Sequence, residues 1–251
     1  YFANQNANKY GITIDMRHPQ ARDLVLRIAA WADVITENFT PGTIESWDLG
    51  YDVLKTANPE IIMFSTSMLG RGGPMEKQPG FGAVLSSLAG LTNIIGWPDR
   101  GPVNPYGAYT DFICPRFAVS SILAALDSRK RTGEGIHLDM SQLEASIHFS
   151  APILMDYIVN NREPTLMGNR HHAAAPHGVY PCNGDDRWIA IACFADDEWS
   201  NLRKVMSCLG SDLPEPERFA TLLGRKTNED DLEQLISQWT AQWSAVVPSA
   251  D

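Results

Sequence analysis

The chain has 251 residues, 44% of them hydrophobic and 20% charged, with 20 Lys and Arg against 30 Asp and Glu. That length suits one large domain or two smaller ones, each able to bury a core, and the composition is that of a folded protein rather than a disordered one. The net charge of −10 repels phosphate backbones and anionic lipid, so nucleic-acid and membrane-surface partners are excluded as general modes of binding, while a local basic spot can still hold a small anion. No apolar run approaches the ~18 residues of a membrane span, and from the residues given no signal peptide is expected. Cys114, Cys182, Cys193 and Cys208 lack CxxC pairing or nearby histidine clusters, which argues against a zinc site or a disulfide framework and for reduced thiols in the cytoplasm.

In chain order, GITID reads as a short strand and HPQARDLVLRIAAWA as a helix, with Pro19 near its start. DVITENF is a second strand, broken by Pro41-Gly42; TIESWDLGYDVLKTANP forms short helical turns; IIMFSTSM is a buried strand followed by the flexible GRGGP. This rhythm of strand, helix and strand with short links predicts a parallel, Rossmann-like sheet with crossover helices. PGFGAVLSSLAGLTNIIG reads as one helix. A further helix should begin at Pro115, which suits the first helical position and would place the cap at Cys114; that helix ends at the basic turn SRKRTGEG. IHLDMSQLEASIHFSAPILMDYIVN is a strand running into a long helix from near Ser141. Beyond a polar Gly/Pro-rich loop, GVYPC and RWIAIAC suggest an antiparallel hairpin, and two amphipathic helices follow, the first capped by Asp196 or Asp197. We therefore expect a large α/β domain over residues 1–164 and a smaller α+β domain over 165–251. The opening YFANQNANKY and the closing WSAVVPSAD look like interrupted elements, so the chain is expected to be incomplete at both ends.

Four features invite chemistry. GRGGP follows a strand but lacks the spacing of a nucleotide-binding loop; it is a flexible turn or a mobile active-site loop, in which Gly72 and Gly73 would face substrate. GNRHHAAAPHG is a solvated loop or a lid over a substrate carboxylate through Arg170, His171 or His172; adjacent histidines without an HExxH pattern suit no metal. Arg17 is either an isolated surface charge or a phosphate ligand, and Arg129-Lys130-Arg131 reads as a solvated helix cap. Asp111 lies at the mouth of the apolar run DFICPRFAVSSILAAL with Arg116 nearby, and spacing alone leaves it as a cap, an ion-pair partner or a reactive group.

From NKYGITID through DVITENFTPG, LGYDVLKTANP, RTGEG and GVYP, the order and spacing of segments resembles the class III CoA-transferases, the CaiB/BaiF family that includes formyl-CoA transferase. The resemblance spans roughly 200 residues. It implies that Asp111, in GAYTDF, is the nucleophile. An ordinary carboxyl, with a pKa near ~3.9, is ionised at pH 7 and needs no base. It would attack an acyl-CoA thioester to give an acyl-aspartyl anhydride and then an aspartyl-CoA thioester, both of which must be kept from water. The resemblance also implies that Ile14, Arg17, Asn38, Phe39 and Met140 line the site for coenzyme A, with Arg17 facing a phosphate. It implies acyl-CoA and carboxylic acid substrates, no metal, and a homodimer of interlocked chains.

Departures sharpen the expectation. Ser46 and Trp47 stand where the family carries a basic residue, Phe81-Gly82 where it often has Tyr followed by Asp or Glu, and HHAAAPHG where formyl-CoA transferase has a Gly-rich loop. These favour a larger, more apolar acyl group over formate or oxalate. The family also holds 2-methylacyl-CoA racemases, which resemble GHD where this chain has Gly80-Phe81-Gly82; Phe81 transfers no proton, so racemisation is the weaker alternative. A non-catalytic CoA-binding subunit is the third.

Overall fold

Three apolar, β-branched runs form a parallel sheet: β1 (Val34–Glu37), β2 (Ile62–Ser67) and β3 (Ile136–Ser141), in the order β1-β2-β3. Val34 pairs with Ile62 at one end of the first ladder and Glu37 with Ser65 at the other; Ile62 to Ser67 then pair with Ile136 to Ser141. Central β2 is buried from Ile62 through Ser65, as expected of a strand covered on both faces. The structure is a computed structural model that describes residues 2–245; Tyr1 and residues 246–251, which include the end of the closing WSAVVPSAD stretch, lie outside the described residues.

The helices are α1 (Phe2–Gln5), α2 (Ala21–Trp31), α3 (Thr43–Ser46), α4 (Tyr51–Ala57), α5 (Gly82–Leu88), α6 (Leu91–Ile94), α7 (Thr110–Thr132), α8 (Gln142–Phe149), α9 (Ala151–Asn160), α10 (Asp196–Cys208), α11 (Leu222–Thr227) and α12 (Glu229–Thr240). Strands β4 (His177–Pro181) and β5 (Trp188–Ala192) form the expected antiparallel hairpin. Two compact units result, one comprising residues 1–93 and 103–164, the other 94–102 and 165–251. The first is the parallel α/β sheet with crossover helices, and the second joins the hairpin to α10, α11 and α12.

In the first unit, Ala29, Ile44, Leu49, Leu54, Ile61 and Met63 cluster, so α2, α3 and α4 cover one face of β2. Ile62 and Phe64 alternate to the other face, where α7 packs against β2 and β3. Much of the recurrent spacing in the sequence serves this frame. Asn58, of the NP turn, donates to the carbonyls of Ala29 and Ala32 at 3.3 and 3.0 Å and ties down the end of α2. In RTGEG, Gly133 closes α7 at φ +72°, and Gly135 passes so close to β2 that a Cβ there would sit 2.2 Å from the Ile61 carbonyl oxygen. The second unit is built on Tyr180, Trp199, Met206, Phe219, Leu232 and Ile236. Arg225, fully buried, donates to the Ala175 carbonyl at 2.6 Å and to Asp196 Oδ1 at 2.9 Å, beneath the Trp199 ring.

Several elements differ from their expected form. GITID is not a strand: residues 9–13 are exposed, and among the described residues no neighbour pairs with their backbone, which an isolated strand requires. The single helix expected over PGFGAVLSSLAGLTNIIG is two, α5 and α6, separated at Gly90 with φ +80°. The long helix from Ser141 breaks at Ser150, before Pro152, into α8 and α9. Ala195, not Asp196 or Asp197, precedes α10, and Glu198 folds back to accept from the Phe194 and Ala195 N–H groups at 2.7 and 3.1 Å. Arg129 is no solvated cap: its guanidinium bonds Asp33 Oδ1 at 2.8 Å and the Asp33 carbonyl at 3.2 Å. The largest correction concerns Pro115, which lies inside α7 and not at its start.

Candidate active site

The carboxyl ends of β1, β2 and β3 turn into the ENF segment, the Gly-rich loop and the start of α8, the edge at which open parallel sheets present their ligand sites. Two further segments close in on this edge. Gly82, first residue of α5, lies against Ala108; a Cβ on Gly82 would sit 2.3 Å from the Ala108 Cβ. The Ala108 carbonyl then accepts the Asp111 N–H at 2.9 Å, and the Tyr109 carbonyl accepts from Phe112 and Ile113 at 3.0 and 3.2 Å. These bonds start α7 at Thr110, five residues before Pro115.

Asp111 is therefore neither the residue before the helix nor the partner of Arg116. It is exposed in the first turn of a 23-residue helix, where the aligned peptide dipoles favour a negative charge. Pro115 has no N–H to give the Asp111 carbonyl, and Arg116 turns back to donate to the Phe112 carbonyl. Gln142, the first residue of α8, donates its side-chain amide to Asp111 Oδ1 at 3.3 Å. Beneath them the Cys114 thiol donates to the Gln142 carbonyl at 3.6 Å, and burial pushes that thiol up to about 11. Cys114 is a packing residue joining α7 to α8. The apolar setting read from the sequence belongs to Ile113 and Cys114, both buried, while the Asp111 carboxylate faces outward.

An ionic network props the edge from below. Arg71, from the Gly-rich loop, bonds Glu37 at the end of β1 and reaches Glu45 of α3 at 2.5 Å and Asp139 of β3 at 3.8 Å. Glu37 is 2% exposed at its side chain and Arg71 15%, so the pair is held where an unpartnered charge would be costly. The other Glu37 oxygen accepts the Phe39 N–H at 2.8 Å, which fixes the ENF turn. Behind it His137 on β3 shares a 2.9 Å hydrogen bond with Ser65 and stacks on Tyr51. Burial, reinforced by the Arg71 charge, holds its imidazole below the usual range. Sequence reading missed Gln142, Glu37 and Arg71 as site residues. Glu37 and Arg71 stand in ENF and GRGGP, whereas Gln142 lies in neither, and the Gln142–Asp111 and Arg71–Glu37 pairs are separated by 31 and 34 residues along the chain.

Of the positions expected to hold coenzyme A, Asn38 and Phe39 are exposed just past β1, with Phe39 edge-on to Trp47 at 5.2 Å. Met140 is half-buried near the end of β3, and Ile14 half-buried in the segment before α2. Arg17 is 92% exposed at its side chain and bonded to Asp15 at 3.1 Å. Near the end of β2 the Thr66 and Ser67 hydroxyls are buried, with no hydrogen-bond partner among the described residues. Gly72 and Gly73 have open space where a side chain would stand, and the Gly72 N–H is held by Glu76 at 2.7 Å. Phe81 is 85% exposed next to Gly82. Arg170, His171 and His172 belong to the second unit. There Arg170 bonds Glu233 at 2.7 Å and Asp230 at 2.5 Å, His171 lies in ring contact with His177 and Phe194, and His172 is exposed. Among the described residues, no three His, Cys, Asp or Glu side chains gather as a metal site, and no helix is long and apolar enough to cross a membrane.

Against known families, the profile of CoA-transferase family III matches residues 1–246. The chain belongs to that family. It is similar to the succinyl-CoA–D-citramalate CoA-transferase of Chloroflexus aurantiacus, 33% identical over 238 residues that make up 95% of this chain and 58% of that protein. It is 30% identical over 244 residues to the succinate–glutarate CoA-transferase of Agrobacterium fabrum, covering 97% of this chain and 60% of that one. Among solved structures, a CaiB/BaiF family protein from Brucella suis superposes with a TM-score of 0.83 at 34% identity, over 95% of this chain and 62% of its own. The chain thus spans about three fifths of the length of these relatives.

Proposed function

We propose that this chain carries the nucleophile of an acyl-CoA:carboxylate CoA-transferase, and that the nucleophile is Asp111. The observation that supports the reading best is the state of its carboxylate. It stands exposed in the first turn of α7, at the ligand edge of a parallel sheet, with one oxygen held by Gln142 and the other open. The open oxygen attacks the thioester carbonyl, the C–S bond breaks, and the CoA thiolate leaves an acyl-aspartyl anhydride. The Asp111 carbonyl carbon then takes up the thiolate and releases the free acid, giving an aspartyl-CoA thioester that the acceptor carboxylate resolves by the reverse steps. Arg17, Asn38, Phe39, Met140 and Ile14 would hold the coenzyme A portion. Gly72, Gly73 and Phe81 would face the acyl group. Arg170, His171 and His172 lie in the second unit, where the Arg170 charge is already partnered, and they are given no part in the steps at Asp111. A second copy of the chain would complete the enzyme.

Both named relatives carry succinate or succinyl-CoA in their names, which supports a dicarboxylate on one side of the exchange. The exposed Phe81 ring supports an apolar donor instead, and a panel of acyl-CoAs against free acids decides between them. Phe81 has no proton to give, which leaves the racemase reading without an acid at that position. The deciding test is mass spectrometry after acyl-CoA treatment. A CoA adduct is expected on the peptide containing Asp111, together with loss of adduct and transfer in Asp111→Ala. Transfer at the unchanged rate in that variant would sink the proposal.

A further inference from the structure

We infer that the Gln142 side-chain amide is a catalytic hydrogen-bond donor for only two of the four addition steps of the reaction, one in each half. It would stabilise the oxyanion formed on Asp111 itself, not the one formed on the substrate. The inference rests on the reading of Asp111 as nucleophile. Its basis is which oxygen is held. Gln142 Nε2 donates to Oδ1 at 3.3 Å, and among the described residues Oδ2 accepts no hydrogen bond. The free Oδ2 is the attacking atom, because a held lone pair is the poorer nucleophile.

The two oxygens then have different fates. When Oδ2 bonds the acyl carbon and the thioester C–S bond breaks, Oδ1 remains as the Asp111 carbonyl oxygen of the anhydride. The thiolate sulfur next adds to the Asp111 carbonyl carbon, and the electron pair of that C=O moves onto Oδ1. Collapse re-forms the C=O bond and breaks the C–Oδ2 bond, so Oδ2 departs within the free carboxylate. Negative charge therefore develops on the atom that Gln142 already faces, and it does so again when the acceptor acid attacks the aspartyl-CoA thioester. A donor aimed at a developing charge accelerates the step that forms it, and such bonds are commonly long before substrate binds.

The placement is built by the fold. Ser141 Oγ accepts the Glu144 N–H at 3.3 Å, starting α8 at Gln142, and the Gln142 carbonyl accepts from Cys114 at 3.6 Å. Its backbone is thus tied to the helix that carries Asp111, whatever the side chain does. Leucine or methionine would fill the same space without a donor.

The test is single-turnover quenched flow on the intact protein with succinyl-CoA and a panel of apolar acyl-CoAs, reading the Asp111-CoA adduct by intact mass and free CoA thiol by a thiol reagent. In Gln142→Met, adduct formation should slow by about tenfold or more, below the ~10²–10³ of a well-aligned donor. Free thiol should appear before the adduct, and acyl-CoA affinity should stay within about twofold. Gln142→Glu, which sets a like charge against Asp111, should be slower still. Adduct formation at the wild-type rate in both variants overturns the proposal, as does a slowing without the thiol burst or one explained by weaker acyl-CoA binding. If the wild-type protein forms no adduct, the Asp111 reading itself fails, an outcome distinct from an adduct that forms without regard to Gln142.

Discussion

Gly82 shows how a residue without a side chain can hold a distant helix turn, and with it Asp111, in place. A Cβ there would fall 2.3 Å from the Ala108 Cβ and 2.7 Å from its Cα, so the clash is with backbone that cannot rotate away. The Ala108 carbonyl anchors the Asp111 N–H, and displacing it displaces the first turn of α7. Gly82→Ala is expected to cost ~1–3 kcal/mol, as overpacking does, and to slow adduct formation at Asp111. Gly11→Ala, where an added Cβ meets nothing within 4 Å, should change stability by less than ~0.5 kcal/mol. Urea denaturation of both variants checks this, and equal stability losses would contradict the close approach.

At the level of elements, β1, β2, β3, α2, the hairpin and α12 form where their apolar patterns lie in the sequence, and α7 forms as expected except at its start. Failures occurred where a local signal was outvoted by tertiary contact or deprived of it. Pro115 reads as a helix start, yet hydrogen bonds to Ala108 and Tyr109 and burial of Ile113 and Cys114 carry the helix past it. GITID has the alternation of a strand, but nothing described pairs with it. For the site, the resemblance singled out Asp111, whereas its partner Gln142 and the separate Arg71–Glu37 pair emerge only when distant segments meet at the sheet edge. The sheet also carries a pH signature. His137 on β3 is held below the usual imidazole range by burial and by Arg71, so the unfolded chain takes up this proton first as the pH falls. Its contribution to stability is complete above ~6.5 and is lost as the pH drops from there toward the lower folded value. His137→Gln should therefore melt with a shallower decline between pH 7 and pH 5.5 than the wild-type protein. An identical decline in thermal melts at the two pH values would show that His137 does not titrate on unfolding.

Among the described residues of the molecule, the buried apolar side chains form two cores and not one. Ala29, Leu54, Ile61 and Met63 anchor the first, and Trp199, Phe219, Leu232 and Ile236 the second, with no residue common to both. Cooperative unfolding follows the packing that links elements, so each core should govern the exchange of its own backbone amides. Leu54 and Leu232 are 1% and 0% exposed, and truncating either leaves a cavity costing ~2–5 kcal/mol. Leu54→Ala is expected to speed hydrogen exchange in α2, α4, β1 and β2 while leaving α10, α12 and the hairpin near their wild-type rates. Leu232→Ala should do the reverse. Hydrogen-exchange mass spectrometry under native conditions separates these outcomes peptide by peptide. Acceleration spread evenly over both units in either variant would mean that the two cores open as one, and a stability defect in either would then reach Asp111. If instead the units open separately, only defects of the first core should expose the α7 turn, and Leu232→Ala would leave the rate of CoA loading at Asp111 unchanged.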